Sequence, residues 1–305
     1  MSPVGPQSGL VVESYGRRVV VARADATRTQ CKLKGRRLEV VAGDQVEIEQ
    51  RAGSDDYTVI RRLQRRNALL RSDSQGREET IAANLDQLGV VVAPEPRCDP
   101  FIVDRYIAGA AYAGIASILI ANKCDLPAGL GDLTFIESYQ SLELPILRVS
   151  ARSGAGMSTL IAALTGKRTL LAGQSGVGKS SLLNTLAGDE LRSTGALSAA
   201  SGEGRHTTVS SAILQMPWGE LADSPGVRDY APPVVPFQQV QYGFAEIAAL
   251  LPGCRFQDCL HVREPHCAVQ AAVADGVIHA RRYESYKRLL NLTRQLDERR
   301  GWPSG

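Results

Sequence analysis

Gly173-Gln174-Ser175-Gly176-Val177-Gly178-Lys179-Ser180-Ser181 decides the fold of this 305-residue chain. Residues 169–172 before it read as an apolar strand and residues 181–186 after it as a helix, so the glycines occupy a strand-to-helix turn. At such a turn successive backbone N–H groups converge on phosphate oxygens at a helix N-terminus. Lys179 then reaches the β- and γ-phosphates and the Ser180 hydroxyl ligates Mg²⁺. Residues 88–93, 115–121 and 145–149 also read as apolar strands, with helical segments near 99–113 and 156–164 between them. Strands that are apolar throughout and alternate with helices predict a parallel sheet covered on both faces, a doubly wound α/β domain.

Asn122-Lys123-Cys124-Asp125 falls at the end of one of these strands, where ligand sites of such sheets lie. The Asp125 carboxylate accepts from both N1–H and the exocyclic amine of guanine; adenine offers no such donor pair, so the motif selects the base. Ser150-Ala151 ends the next strand and sets the Ala151 amide for guanine O6. Asp223-Ser224-Pro225-Gly226 follows β-like segments at 209–216 and 218–221; it predicts Asp223 as the carboxylate of the Mg²⁺ shell and the Gly226 amide as the γ-phosphate sensor. Between these motifs the glycine-containing loop 202–208 offers Thr207, with Thr208 beside it, to complete the Mg²⁺ shell when the γ-phosphate is present.

The order of these motifs is itself informative. A usual GTPase runs phosphate loop, switch threonine, Asp-x-x-Gly, Asn-Lys-x-Asp, Ser-Ala; here the last two come first, at 122 and 150. The chain therefore reads as circularly permuted, with residues 165–168 joining the former last helix to the former first strand. Domain termini that lie close together make such a rearrangement tolerable.

Outside this region the chemistry changes. Residues 10–14, 17–23, 29–33, 45–49 and 57–63 read as short strands separated by Gly16, Gly35, Gly43 and Gly53, which predicts a small barrel of the OB type, with an SH3-like barrel as the alternative. Arg17, Arg18, Lys32, Lys34, Arg36 and Arg37 give it a basic surface, while Tyr15 and Tyr57 are its only aromatics, so phosphate or shape contacts are expected rather than base readout. The polar stretch 71–80 reads as a linker. Near the other end, Cys254, Cys259, His261 and Cys267 supply three thiolates and an imidazole within 14 residues, the ligand set of a closed, structural Zn²⁺ site. Cys31, Cys98 and Cys124 have no such company and read as buried apolar fillers. The domains expected are thus 1–66, 67–250 and 251–305, the last mostly helical.

Net charge is +3, but it is segregated: 13 basic against 8 acidic residues in 1–66, 13 against 18 in 67–250 and 9 against 6 in 251–305. Basic flanks around an acidic middle predict that the ends touch a polyanion. Hydrophobic residues make up 44% and charged residues 22%, which excludes collagenous, disordered and disulfide-scaffold classes. The longest apolar run, 114–121, is far short of a membrane span, and residues 1–9 carry neither a basic nor an apolar leader pattern, so a cytoplasmic protein is expected.

The permuted order, Gly-Gln-Ser-Gly-Val-Gly-Lys-Ser at 173–180, Arg-His-Thr-Thr at 205–208, Asp-Ser-Pro-Gly-Val at 223–227 and Cys-x₄-Cys-x-His-x₅-Cys at 254–267 together resemble the ribosome small-subunit-dependent GTPase A family of circularly permuted GTPases. The resemblance extends over nearly the whole chain. It implies late maturation of the 30S subunit, with 16S rRNA contacted by the flanking domains and hydrolysis of GTP to GDP stimulated by the subunit. Position 227, where many GTPases carry a water-orienting glutamine, is Val227, so intrinsic turnover is expected to be slow and His206 is the candidate for placing the attacking water once rRNA reorganises its loop. A second expectation is that loss of the γ-phosphate swings the metal domain. The alternative is a GTP-gated module that occludes the subunit, with hydrolysis as a timer. A monomer is expected in either case, and no membrane partner.

Overall fold

The computed structural model describes residues 6–51, 54–126, 131–193, 211–223 and 230–301. Strands β1 (Gln7–Tyr15), β2 (Arg18–Arg23), β3 (Arg28–Leu33), β4 (Gln45–Gln50) and β5 (Tyr57–Arg62) close a barrel in the order β1-β2-β3-β5-β4-β1, with β3 and β5 parallel. That order is the OB type and settles the SH3-like alternative. Alternating residues fill it: Val11, Val19, Val21, Cys31, Val46, Ile48 and Val59 form one buried cluster.

The central region holds β8 (Gln87–Val92), α1 (Pro100–Tyr112), β9 (Ala116–Ala121), β10 (Ile146–Arg148), α2 (Met157–Leu164), β11 (Arg168–Ala172), α3 (Lys179–Ser193), β12 (Ser211–Met216) and β13 (Gly219–Asp223). Its strand order is β10-β9-β8-β11-β13-β12. All six residues of β8 are buried, as expected of a strand covered on both faces. The sheet is not purely parallel, however. β12 runs antiparallel to β13 and continues into the barrel by pairing with β1, Glu13 opposite Ala212 and Ser14 opposite Ser211. A register shift between Val11 and Glu13 lets one strand serve both bodies, its first half on β4 and its second on β12.

The stretch expected as a linker is instead a hairpin, β6 (Ala68–Ser72) on β7 (Glu78–Ala83). Its turn is closed by Asp73, whose carboxylate accepts from the Gln75 and Arg77 amides and from Arg77 Nε. Leu69, Ile81 and Ala82 are buried in the central core, and the turn reaches the far end of the chain, where Arg299 Nη1 donates to Ser74 O at 3.3 Å.

Beyond residue 230, short helices α4 (Phe237–Val240) and α5 (Ala245–Ala248) lead to α6 (Ala268–Ala274) and the long α7 (Ala280–Arg300). Val240, Phe244, Ile247, Val269, Tyr286, Leu289 and Leu290 form a separate core together with Cys259 and Cys267. Among the described residues no helix is long and apolar enough to cross a membrane.

Candidate functional site

β8 and β11 lie side by side and parallel, and the chain runs outward in opposite directions from this pair, to β9 and β10 on one side and β13 on the other. Such a switch point leaves a crevice beyond the C-terminal ends of the strands, and Gly173 to Gly178 turn there from β11 into α3. Two glycines are required by their surroundings. Gly173 has φ 143° and a Cβ on it would meet the Val91 carbonyl; Gly178 has φ 97° and a Cβ would meet the Asn122 amide. Lys179 Nζ folds over the loop, donating to Gly173 O at 2.5 Å and Gln174 O at 2.8 Å.

Asn122, at the end of β9 and only 1% exposed, joins the other side of the crevice to this loop. Its Nδ2 donates to Val177 O at 3.0 Å, and its Oδ1 accepts from Ala151 N at 3.2 Å. Lys123 Nζ donates to Gly176 O at 2.9 Å and Glu95 O at 2.6 Å. Two stretches more than fifty positions apart in the chain are therefore one structural unit. Asp125 is held by Ser150, whose Oγ donates to Oδ1 at 2.6 Å and in turn accepts from Ser153 N at 3.0 Å. That bond keeps the Asp125 carboxyl below the usual carboxylate range and charged at the exposed rim of the crevice.

Asp223 closes β13, one residue beyond the Leu170–Ala222 register pair, beside the strand that feeds the phosphate loop. Thr207, His206 and Gly226 lie outside the described residues. Gln174 has a task that its motif does not reveal: its Oε1 accepts from Asp99 N at 2.9 Å, while Asp99 Oδ1 caps α1 by accepting from Phe101 N at 2.9 Å. The pair Asp99-Pro100 is a helix-start signal legible in the sequence, but nothing there ties it to the phosphate loop. Cys31 and Cys98 are buried, as expected; Cys124 is only half-buried, because it sits in the base loop between Lys123 and Asp125.

The four expected metal ligands converge, with their ligating atoms within 4.8 Å of one another. His261 Nδ1 is 3.5 Å from Cys254 Sγ and 3.3 Å from Cys267 Sγ, and those two sulfurs are 4.0 Å apart. A tetrahedron with Zn–S bonds of about 2.3 Å has edges of about 3.8 Å, so the donor set fits a metal of this size. His261 Nε2 faces Gln241 Oε1 at 2.8 Å, which fixes the ring with Nδ1 toward the thiols. Burial lowers the His261 pKa and keeps the imidazole neutral, the form that ligates. Tyr283 and Tyr286 of α7 donate to His261 O and Leu260 O at 2.6 and 2.8 Å, locking the ligand loop onto the C-terminal core.

A family model described as RsgA GTPase matches residues 62–231. The small ribosomal subunit biogenesis GTPase RsgA of Azotobacter vinelandii is 42% identical over 299 residues, covering 94% of this chain and 86% of the relative; that of Pseudomonas aeruginosa is 40% identical over 293 residues with the same coverage. Among solved structures, YjeQ from Thermotoga maritima superposes with a TM-score of 0.74 at 29% identity, covering 94% of this chain and 98% of that one. YloQ, described as a circularly permuted GTPase, superposes at 0.72 with 22% identity and 96% coverage of both chains, a likeness of fold. A model match over more than half the chain, with relatives aligned over nearly all of it, makes this chain a GTP hydrolase of the RsgA GTPase family.

Proposed function

We propose that this chain binds the small (30S) ribosomal subunit late in its maturation and hydrolyses GTP to GDP there, with the subunit stimulating turnover. The observation that supports the nucleotide reading is the Asn122 bridge, whose Nδ2 donates to Val177 O and ties the 122–125 stretch to the 173–178 loop. The subunit comes from the shared name of the relatives, small ribosomal subunit biogenesis GTPase. That name gives no support to the occluding module as an alternative.

In this reading Asp125 accepts from guanine N1–H and the 2-amine, Ala151 N–H donates to O6, and the amides of 173–178 with Lys179 receive the phosphates. Ser180 and Asp223 hold Mg²⁺, which when bound neutralises charge on the phosphates. Thr207 and Gly226 sense the γ-phosphate and His206 positions water. Zn²⁺ on Cys254, Cys259, His261 and Cys267 staples the C-terminal unit. Arg17, Arg18, Lys32, Lys34, Arg36 and Arg37, all exposed on the barrel, contact 16S rRNA phosphates. The working units proposed are 1–66, 67–250 and 251–305, with Val240, Phe244 and Ile247 of the second lending their side chains to the core of the third, in a cytoplasmic monomer.

Co-sedimentation with purified 30S and 50S subunits, with a non-hydrolysable GTP analogue and with GDP, tests the proposal. Retention on 30S alone, strongest with the analogue, is expected together with accelerated GTP turnover; no retention on 30S with either nucleotide refutes it.

A further inference from the structure

The turn that begins at Ser150 carries both groups assigned to the base: Ala151 N–H directly, and Asp125 through the Ser150 hydroxyl. The other side of this turn is fastened to a residue in no nucleotide motif. Thr185 Oγ1 lies 3.1 Å from Ala151 O and 2.9 Å from Ser181 O, one turn earlier in α3. The bond to Ser181 is the ordinary local choice of a threonine in a helix. The bond to Ala151 reaches 34 positions back along the chain, so the single hydroxyl hydrogen is shared between the helix and the base turn. α3 starts at Lys179, and Thr185 stands six residues on, about 9 Å along the axis at 1.5 Å per residue. The same rigid element thus meets the phosphates at its N-terminus and the base turn less than two turns later.

We infer that Thr185 is a positioning residue for guanine recognition, holding the Ala151 carbonyl against α3 so that the Ala151 N–H stands where guanine O6 arrives. The inference rests on the proposed roles of Ala151 and Asp125. The Ala151 N–H makes only a long bond, 3.2 Å to Asn122 Oδ1, at the upper end of the N–H···O range, and a carbonyl acceptor delivered in line displaces it. Because Thr185 acts on the O6 contact and Asp125 reads the 2-amine, the two contributions separate when a base lacking that amine is used.

Dissociation of ribose-labelled fluorescent GDP and inosine diphosphate from the full-length chain tests this. Thr185→Val keeps the shape and removes the hydroxyl; Thr185→Ser keeps the hydroxyl and removes the methyl. The loss of one net hydrogen bond speeds release of both nucleotides from Thr185→Val by about five-fold, equally for the two bases, and leaves Thr185→Ser at the wild-type rate. Wild-type release from Thr185→Val, an effect on GDP alone, or Thr185→Ser as fast as Thr185→Val each overturns the inference. A wild-type chain that does not retain labelled GDP overturns the reading of the site instead.

Discussion

Asp104 of α1 and Arg282 of α7 meet at the join between the nucleotide-binding core and the C-terminal unit, carboxylate to guanidinium at 2.5 Å with side chains 1% and 2% exposed. Arg281 Nη1 reaches the other Asp104 oxygen at 2.7 Å, Arg282 Nε takes Glu246 at 2.6 Å, and the Arg282 guanidinium lies between the rings of Tyr139 and Phe244. Replacing Asp104 by Asn leaves two arginines facing one remaining carboxylate in an apolar setting, at a cost of about 3–5 kcal/mol. Urea unfolding of Asp104→Asn checks it, and a loss below about 1 kcal/mol contradicts the burial argument. The triple variant Asp104→Leu/Glu246→Gln/Arg282→Met is expected to recover part of the loss, since it removes the buried guanidinium together with both of its carboxylate partners.

Asn122→Ala removes the buried bond that ties the base side of the crevice to the phosphate loop at Val177. GDP and GTP are expected to bind about ten-fold more weakly, as this buried hydrogen bond is lost and the Val177 carbonyl is left unpaired. Calorimetric titration with GDP reads this directly, and unchanged affinity means the crevice is held by other contacts.

The Ser150 bond sets a pH dependence. Because the folded Asp125 pKa is depressed, the charged acceptor is present above the ordinary carboxyl value and is lost only as pH falls through the lower folded value. GDP affinity of the wild type is therefore expected to hold flat through mildly acid pH, with its acid limb below about 3.9. In Ser150→Ala that limb moves upward. Affinity measured against pH for both proteins decides the matter, and coincident limbs reject it.

Metal content is expected to be one Zn²⁺ per chain, lost in Cys259→Ser or on chelation. Since Cys259 and Cys267 belong to the C-terminal core, removal is expected to expose 254–300 to protease while the barrel and central sheet stay resistant. Limited proteolysis with and without chelator is the check; identical fragment patterns contradict a structural role.

Motifs whose chemistry is local were legible before the fold was known. The Gly173 loop, the Asn122 and Ser150 stretches, and the cysteine spacing all landed where strand ends and turns predicted, because each needs a fixed backbone geometry that few sequences supply. The hairpin β6–β7 was not legible. The polar run continues from the turn into both arms, through Arg71 and Ser72 of β6 and Glu78, Glu79 and Thr80 of β7, and leaves only three apolar residues on each. The pairing of β12 with β1 was not legible, because it joins strands nearly two hundred positions apart. Thr185 and Gln174 act through partners 34 and 75 positions away, a relation that no spacing rule contains.

One strand shared by two bodies also governs how the molecule can be assembled. β1 leaves the ribosome nearly two hundred residues before β12, the partner of its second half. Until then the barrel presents an open strand border at Glu13 and Ser14, and the Glu13 carboxylate, paired to Arg28, discourages other chains from adding there. An isolated fragment ending near residue 66 keeps that border permanently. Vectorial synthesis makes the oldest part of the polypeptide wait for the youngest sheet strands before its last ladder closes.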